Sequence, residues 1–442
     1  MASSRTQSPL RSTALQNLSE RGLIEQASDL GAIDEAMATG MVSFYTGYDP
    51  TAASLHAGSL LTIMAMRRLQ QAGHRPIVLM GGATAMVGDP SGRSETRKML
   101  TPEVVASNVA ALKKQFSRFI HFDTGAANDA IMVDNSSWLM GLHYIEFLRD
   151  VGRHFTVNRM VAAKTYRDRL EGELPLSFLE FNYQLLQAYD FLHLYRTEGC
   201  KLQVGGSDQW GNMIAGVELI RRTLADRDQR DQRDQRDQRD QGDDRPDSAY
   251  SLTYPLLTTA DGGKMGKTAK GAVWLDPERC SPFDYYQYWI NCHDSDVEKL
   301  LRVFTELPIE EVQELGRREG KALNEAKATL AFEATKLLHG EEQAIRSRKA
   351  TAQAFGQGED WSALPCVQLP DTELSLLDLV VHEAVAGFKS KRNARERITA
   401  GAVRINGETV TDMGTRITAA DSGEDGLRLQ IGRKKRIRIK FA

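Results

Sequence analysis

The sequence has no apolar run approaching the about 20 residues that a membrane-spanning helix requires. Cysteine is sparse: Cys200, Cys280, Cys292 and Cys366 are scattered, with no C-x-x-C spacing and no clustered histidines. That pattern argues against a disulfide framework and a structural zinc site, and it fits a reducing compartment. No G-x-G-x-x-G follows the first expected strand, so a dinucleotide site is not supported. The start of the chain carries arginines and hydroxyls and no acid before Glu20, as a transit segment does. It is short and lacks an amphipathic stripe, so a cytoplasmic protein with a disordered start is the expectation.

What is present suits a soluble protein of several domains. At 442 residues, 41% hydrophobic and 26% charged, the chain can bury two or three cores. A formal charge of −3 conceals an asymmetry: residues 389–442 hold 14 Lys and Arg against 6 Asp and Glu, a local +8 that leaves −11 elsewhere. A basic terminal module on an acidic body points to a polyanionic partner. Residues 226–247 repeat Arg-Asp-Gln with nothing apolar to bury. The period of three matches neither helix nor strand burial, so a charged, solvated insertion is expected there.

The remaining pattern orders the chain. "MVSFYTGYD" reads as a strand, "SLLTIMAMRRLQQAG" as an amphipathic helix stopped at Gly73, and "RPIVLMGG" as a buried strand. This βαβ start predicts an α/β fold with a doubly wound, parallel, Rossmann-type sheet over residues 1–275. Helical patterns fill residues 276–357, opening on the Ser281-Pro282 pair that suits a cap and first turn. Residues 358–374 read as a linker. A small α+β module then covers 375–442, with a hairpin turn at Asn406-Gly407 and a strand of one basic face at 436–440.

The stretch "DGGKMGKT", residues 261–268, is one glycine short of a phosphate-binding P-loop, because Asp261 stands where the first glycine belongs. A strand precedes it, but "AKGAVWLDPERCSP" downstream has no helical period, and a P-loop needs a helix opening there. What remains is a glycine-rich loop with Lys264 and Lys267 three apart and the hydroxyl of Thr268. Taken alone, it is a solvated turn. A second feature concerns phosphates: in "YTGYDPTAASLHAGSLL", His56, Gly58 and Ser59 fall at a helix start beyond the first strand, with Thr51 just upstream. Helix starts at strand ends are where such sheets bind anions.

"HAGS" and "KMGKT", together with "GGATAMVGDPSGRSETR", "FNYQLLQAYDFLHLY" and "QVGGSDQWGNM", resemble the signatures of class I aminoacyl-tRNA synthetases, and specifically the bacterial-type tyrosyl-tRNA synthetase family across nearly the whole chain. The resemblance implies activation of L-tyrosine by ATP, followed by transfer to tRNA(Tyr). It implies no tightly bound cofactor, ATP with Mg2+ as substrate, and a homodimer off the membrane. It makes the Lys-x-x-Lys loop a clamp over the ATP phosphates, in which Lys264, Lys267 and Thr268 face His56 and Thr51. Gly47, Asp49, Gly58, Ser59, Gly206 and Asp208 complete the nucleotide side. Ser59 stands where the family usually has His or Asn, and Arg93 where Lys is common.

Tyr183, Gln187 and Asp190 are spaced to share one helix face, a stripe that could equally be an internal hydrogen-bond network. By the resemblance, Tyr183, Gln187 and Asp89 hold the substrate ammonium, Gln209 lies near its carboxylate, and Tyr45 and Asp190 take the phenol hydroxyl. A site built for a hydroxyl rejects the analogue that lacks it. Tyrosyl-tRNA synthetase is itself the standard example of this rule, with a known rejection of phenylalanine of about 10⁵. The basic end resembles a ribosomal-protein RNA-binding module, which makes Lys391, Arg392, Arg395, Arg404, Lys434, Lys435 and Arg436 tRNA contacts. A tryptophan-specific relative would lack the Tyr45 and Asp190 pair, and an RNA-binding protein on a retired body would not need His56, Lys264 and Lys267.

Overall fold

A computed structural model describes residues 9–90, 101–234, 248–258, 260, 265–268, 271–355, 366–370, 373–385, 387–388, 390–423, 426–432 and 435–441. The chain divides into two compact units, Met1–Arg279 with His293–Glu319, and Cys280–Cys292 with Gly320–Ala442.

In the first unit, β1 (Gln26–Ala27), β2 (Ser43–Tyr48), β3 (Arg75–Met80), β4 (Ile131–Asp134), β5 (Cys200–Gly206) and β6 (Tyr250–Tyr254) form one sheet in the order β1-β6-β5-β2-β3-β4. Neighbours run parallel except β1, which is antiparallel to β6. Strands covered on both faces must be apolar throughout, and Pro76 to Met80 of β3 are all buried. From β2 the chain builds first toward β4 and then returns to the other side of β2 with β5. The direction reverses between β2 and β5, and ligands bind beyond the carboxyl ends of strands at such a switch point.

The helix Leu60–Gln71 follows β2 and is anchored by cations, not by apolar packing alone. Arg68 donates to the Val303 and Thr305 carbonyls at 3.3 and 2.6 Å, and Arg21 donates to the Arg302 and Leu307 carbonyls at 2.9 and 2.7 Å. Burial lowers the pKa of Arg68 to about 9. These guanidiniums satisfy the free carbonyls at the end of the helix Val297–Phe304.

The Arg-Asp-Gln repeat differs from its expected form at its start. The helix Trp210–Asp234 runs into it, and Asp226 pairs with Arg153. Extending a formed helix avoids the cost of nucleation, and Arg and Gln are good helix formers, so local period is no bar. Residues 235–247 lie outside the described residues.

Two short strands, β7 (Lys267–Thr268) and β8 (Gly271–Ala272), pair antiparallel. In the second unit the helices Pro282–Ile290, Gly320–His339 and Glu341–Phe355 pack together, with Tyr285 edge-on to both Trp289 and His339. Ser281 caps the first of them, accepting from the Asp284 amide.

The chain ends in β9 (Cys366–Leu369), β10 (Glu373–Ser375), β11 (Val403–Ile405), β12 (Glu408–Thr409), β13 (Arg416–Thr418), β14 (Leu427–Ile431) and β15 (Lys435–Phe441). Five of these form a sheet in the order β12-β11-β14-β15-β9, while β10 pairs with β13. β9 comes from the stretch read as linker; Val367 and Leu369 alternate toward the core and bring it into the sheet. Asn406 and Gly407 both take positive φ, 48° and 93°, as a type I′ hairpin turn requires.

Candidate active site

The loops at the two phosphate signatures are locked edge to edge. Ala57 donates its amide to the Val273 carbonyl at 2.8 Å, Leu275 donates to Leu55 at 2.9 Å, and His56 and Trp274 form an antiparallel bridge. Val273 in turn donates to the Gly266 carbonyl at 2.9 Å. Residues 271–275 therefore hydrogen-bond to both "HAGS" and "KMGKT" and hold the two stretches together. A Cβ at Gly58 would stand 2.7 Å from the Met265 carbonyl oxygen, so the close approach requires glycine.

His56 caps its own turn: Nδ1 accepts from the Gly58 amide at 3.0 Å. In the neutral ring the proton is then on Nε2, which makes that nitrogen the donor side of the imidazole. Trp274 stands edge-on to the imidazole, with Arg279 over the indole at 5.3 Å. Gly47 and Thr51 are exposed, and Gly58 and Ser59 are half-buried. Gly206 ends β5, and Asp208 lies in the single turn Ser207–Gln209 that follows. Of the expected clamp, Lys264 lies outside the described residues. Lys267 and Thr268 are placed by backbone in β7. Arg93 also lies outside the described residues.

A second cluster gathers the residues expected for the amino acid. Tyr183, Gln187 and Asp190 share the helix Tyr183–Glu198. Gln209 donates to Asp89 at 2.8 Å, and Asn212 donates to Gln187 at 3.0 Å and to Gln209 at 3.4 Å. The Tyr183 hydroxyl reaches Asp49 at 3.4 Å, and Asp49 also accepts from Thr84 at 3.1 Å.

Asp190 is 2% exposed. It accepts from Asn135 at 2.9 Å and from the Trp138 indole at 2.8 Å. Burial dominates these hydrogen bonds and raises its pKa to about 7. Tyr45 is 1% exposed, and its hydroxyl has no hydrogen-bond partner among the described residues. Burial, and then the charge of Asp190, push the Tyr45 phenol well above its usual range. An apolar cluster that includes Ile77, Leu79 and Phe191 encloses Tyr45. A buried carboxylate beside an unused phenol is an arrangement for binding one more hydroxyl.

Sequence reasoning missed Asn135, Trp138 and Asn212. The first two follow β4 in "VDNSSW", a strand end in a parallel sheet, which was their one available signal. Asn212 lay inside the recognised "GGSDQWGNM" block.

The expected tRNA contacts separate. Lys391, Arg392 and Arg395 lie on the helix Lys391–Thr399, where Lys391 pairs with Asp378 at 2.7 Å and Arg392 with Glu396 at 3.7 Å. Arg404 and Arg436 lie on strands. Lys435 donates to the Val385 carbonyl, and Lys434 lies outside the described residues.

A mostly parallel sheet with one signature loop at its switch point and the other hydrogen-bonded to it defines a class I synthetase body, and residues 37–356 match the family of class I tRNA synthetases (W and Y). Residues 356–437 match the tyrosine–tRNA ligase SYY-like C-terminal domain. The chain is 49% identical to a tyrosine–tRNA ligase of Zymomonas mobilis over 91% of its own length and 92% of the relative's. It is 44% identical to that of Rhizobium meliloti, over 98% and 99%. Among solved structures it is similar to a C-terminally truncated mitochondrial tyrosyl-tRNA synthetase of Aspergillus nidulans, with 31% identity and a TM-score of 0.65, covering 78% of this chain and 95% of that one. The chain belongs to the tyrosine–tRNA ligase family.

Proposed function

We infer that the chain carries out tyrosine–tRNA ligation: L-tyrosine and ATP give tyrosyl-adenylate and pyrophosphate, and the tyrosyl group then passes to the 3′ end of tRNA(Tyr). The observation that carries this reading is the pairing of the locked signature loops with the buried Tyr45 and Asp190 pair.

The tyrosine carboxylate is itself the nucleophile, so the protein aligns it on the α-phosphate and stabilises charge moving onto pyrophosphate. Gln209 and the Asp208 turn lie near the carboxylate and ribose. Tyr183, Gln187 and Asp89 hold the ammonium, and the Asn212 hydrogen bonds fix Gln187 for that task and Gln209 for the carboxylate. His56 donates from Nε2 to a phosphate oxygen, Thr51 assists, and Lys264, Lys267 and Thr268 approach from the opposite loop. Gly47, Asp49, Gly58, Ser59 and Gly206 line the nucleotide's path, and Mg2+ enters with ATP as part of the substrate.

Residues 1–275 form the catalytic part, residues 276–357 a helical tRNA-binding part, and the basic module the RNA anchor. Scattered free cysteines support a cytoplasmic, reducing setting, and among the described residues no helix is long and apolar enough to cross a membrane. We also propose a homodimer. Eight of the eleven exposed large apolar side chains among the described residues, Ile145 and Phe178 foremost, fall within residues 140–179. Exposed apolar concentration of that kind marks an interface.

Amino-acid-dependent exchange of pyrophosphate into ATP, run with each of the twenty amino acids, tests the reading. Exchange with tyrosine alone is expected; exchange with tryptophan, or with none, overturns it.

A further inference from the structure

The terminal module presents cations on two opposite sides. Along β11, β14 and β15, successive side chains alternate between faces. Val403, Ile405, Leu427, Leu429, Ile431, Ile437 and Ile439 point into a core shared with Leu379, Val380, Ala394 and Ile398 of the helices Leu376–Val381 and Lys391–Thr399. Those helices therefore cover one face of the sheet. The intervening residues, Arg404, Arg428, Arg436, Arg438 and Lys440, stand on the other face.

Register brings these cations into rows. Arg428 lies opposite Arg438, Gln430 lies between Arg404 and Arg436, and Lys440 lies beside Gln368. No acidic residue occupies these outward register positions; their other members are Thr409, Cys366 and Gln368.

We propose that this open sheet face is a second RNA-binding surface, engaging the phosphate backbone of the tRNA independently of the helix face that carries Lys391, Arg392 and Arg395. The inference rests on the reading of the module as an RNA anchor. Charge complementarity selects the occupant, since Arg404, Arg428 and Lys440 share the outward face and suit a polyanion, and tRNA is the polyanion of the reaction. Arg404 and Lys440 are exposed and Arg428 is half-exposed, so the chain leaves them accessible.

The test measures tRNA binding to the full chain between 50 and 300 mM salt, a window of about the size over which phosphate contacts register. One variant is R404Q/R428Q/K440Q, and the other is R392Q/R395Q on the helix face. Each phosphate contact contributes roughly 0.7–0.9 to the salt slope. Removing three should make the slope shallower by about 2–3 and weaken binding roughly 10- to 100-fold near 0.15 M salt. The helix-face variant should weaken binding separately. The lysine variant R404K/R428K should keep the parental slope, which separates charge from folding, and melting midpoints should match the parent's.

Parental affinity and slope in the sheet-face variant, with loss in the helix-face variant, overturns the second surface and leaves the RNA anchor standing. Parental binding in both variants overturns both. Loss of binding to phosphatidylserine vesicles with unchanged tRNA binding overturns the proposal in favour of a lipid surface.

Discussion

Gly58 and Gly266 approach so closely that a Cβ built on Gly266 would lie 2.3 Å from the Gly58 nitrogen. The contact joins the two phosphate signatures through backbone, and Gly266 holds a φ of +85°, which side chains other than hydrogen disfavour. Gly266→Ala should therefore displace one loop from the other. An ångström-scale displacement costs up to about 10²-fold in rate. Stopped-flow activation should slow by that order while tyrosine affinity, held by the separate Tyr183–Asp190 face, stays near the parental value.

Asp190 makes tyrosine binding depend on pH. Its carboxyl titrates near 7 in the fold, against an ordinary value of 3.8, because it is buried. An ionised Asp190 accepts the phenol hydroxyl, so tyrosine affinity should rise up to tenfold per pH unit below about 7 and level off above it. Binding should release protons in that window, measurable by calorimetry in two buffers, and Asp190→Asn should flatten the profile. Stability of the free protein runs the other way. The native state holds this proton more tightly than the unfolded chain does, so the contribution is complete below about pH 4 and is lost as pH rises to about 7.

Tyr45→Phe separates binding from folding. Its hydroxyl is buried without a partner among the described residues, so removing it should leave the melting midpoint of the free protein unchanged or raised. Tyrosine should bind more weakly by about 0.5–1.5 kcal/mol, and discrimination against phenylalanine should fall by the same factor. A lower midpoint with intact discrimination would show that the hydroxyl serves the core.

Cutting the chain before Cys366 should split the two half-reactions. The terminal module has its own apolar core, and its loss removes none of the residues proposed for tyrosine or ATP. Tyrosyl-adenylate should form at the parental rate while transfer to tRNA falls sharply, as single-turnover measurements of each step would show.

Much of this was legible in sequence because it lies in continuous patterns. The helix Leu60–Gln71 and β3 announce themselves by period and a following glycine, β2 by its apolar run although it passes through Gly47 to Tyr48, and the i, i+4, i+7 spacing of Tyr183, Gln187 and Asp190 survives in the helix. Contacts across the sheet were not legible. Asn135 and Trp138 reach Asp190 across intervals of 55 and 52 residues. The Arg21 and Arg68 cage on the carbonyls of residues 302–307 was hidden for the same reason. Alternation along β15 foretold a basic strand face, but only the shared core with the helix Lys391–Thr399 shows that this face points away from the helix cations.

The most direct measurement is charging of tRNA(Tyr) by the purified protein with ATP and radiolabelled tyrosine, phenylalanine or tryptophan in parallel. Tyrosyl-tRNA should accumulate in proportion to ATP consumed, with neither of the other two amino acids attached at a comparable rate. Charging with tryptophan or phenylalanine as fast as with tyrosine, or no tyrosyl-tRNA at all, would contradict the account.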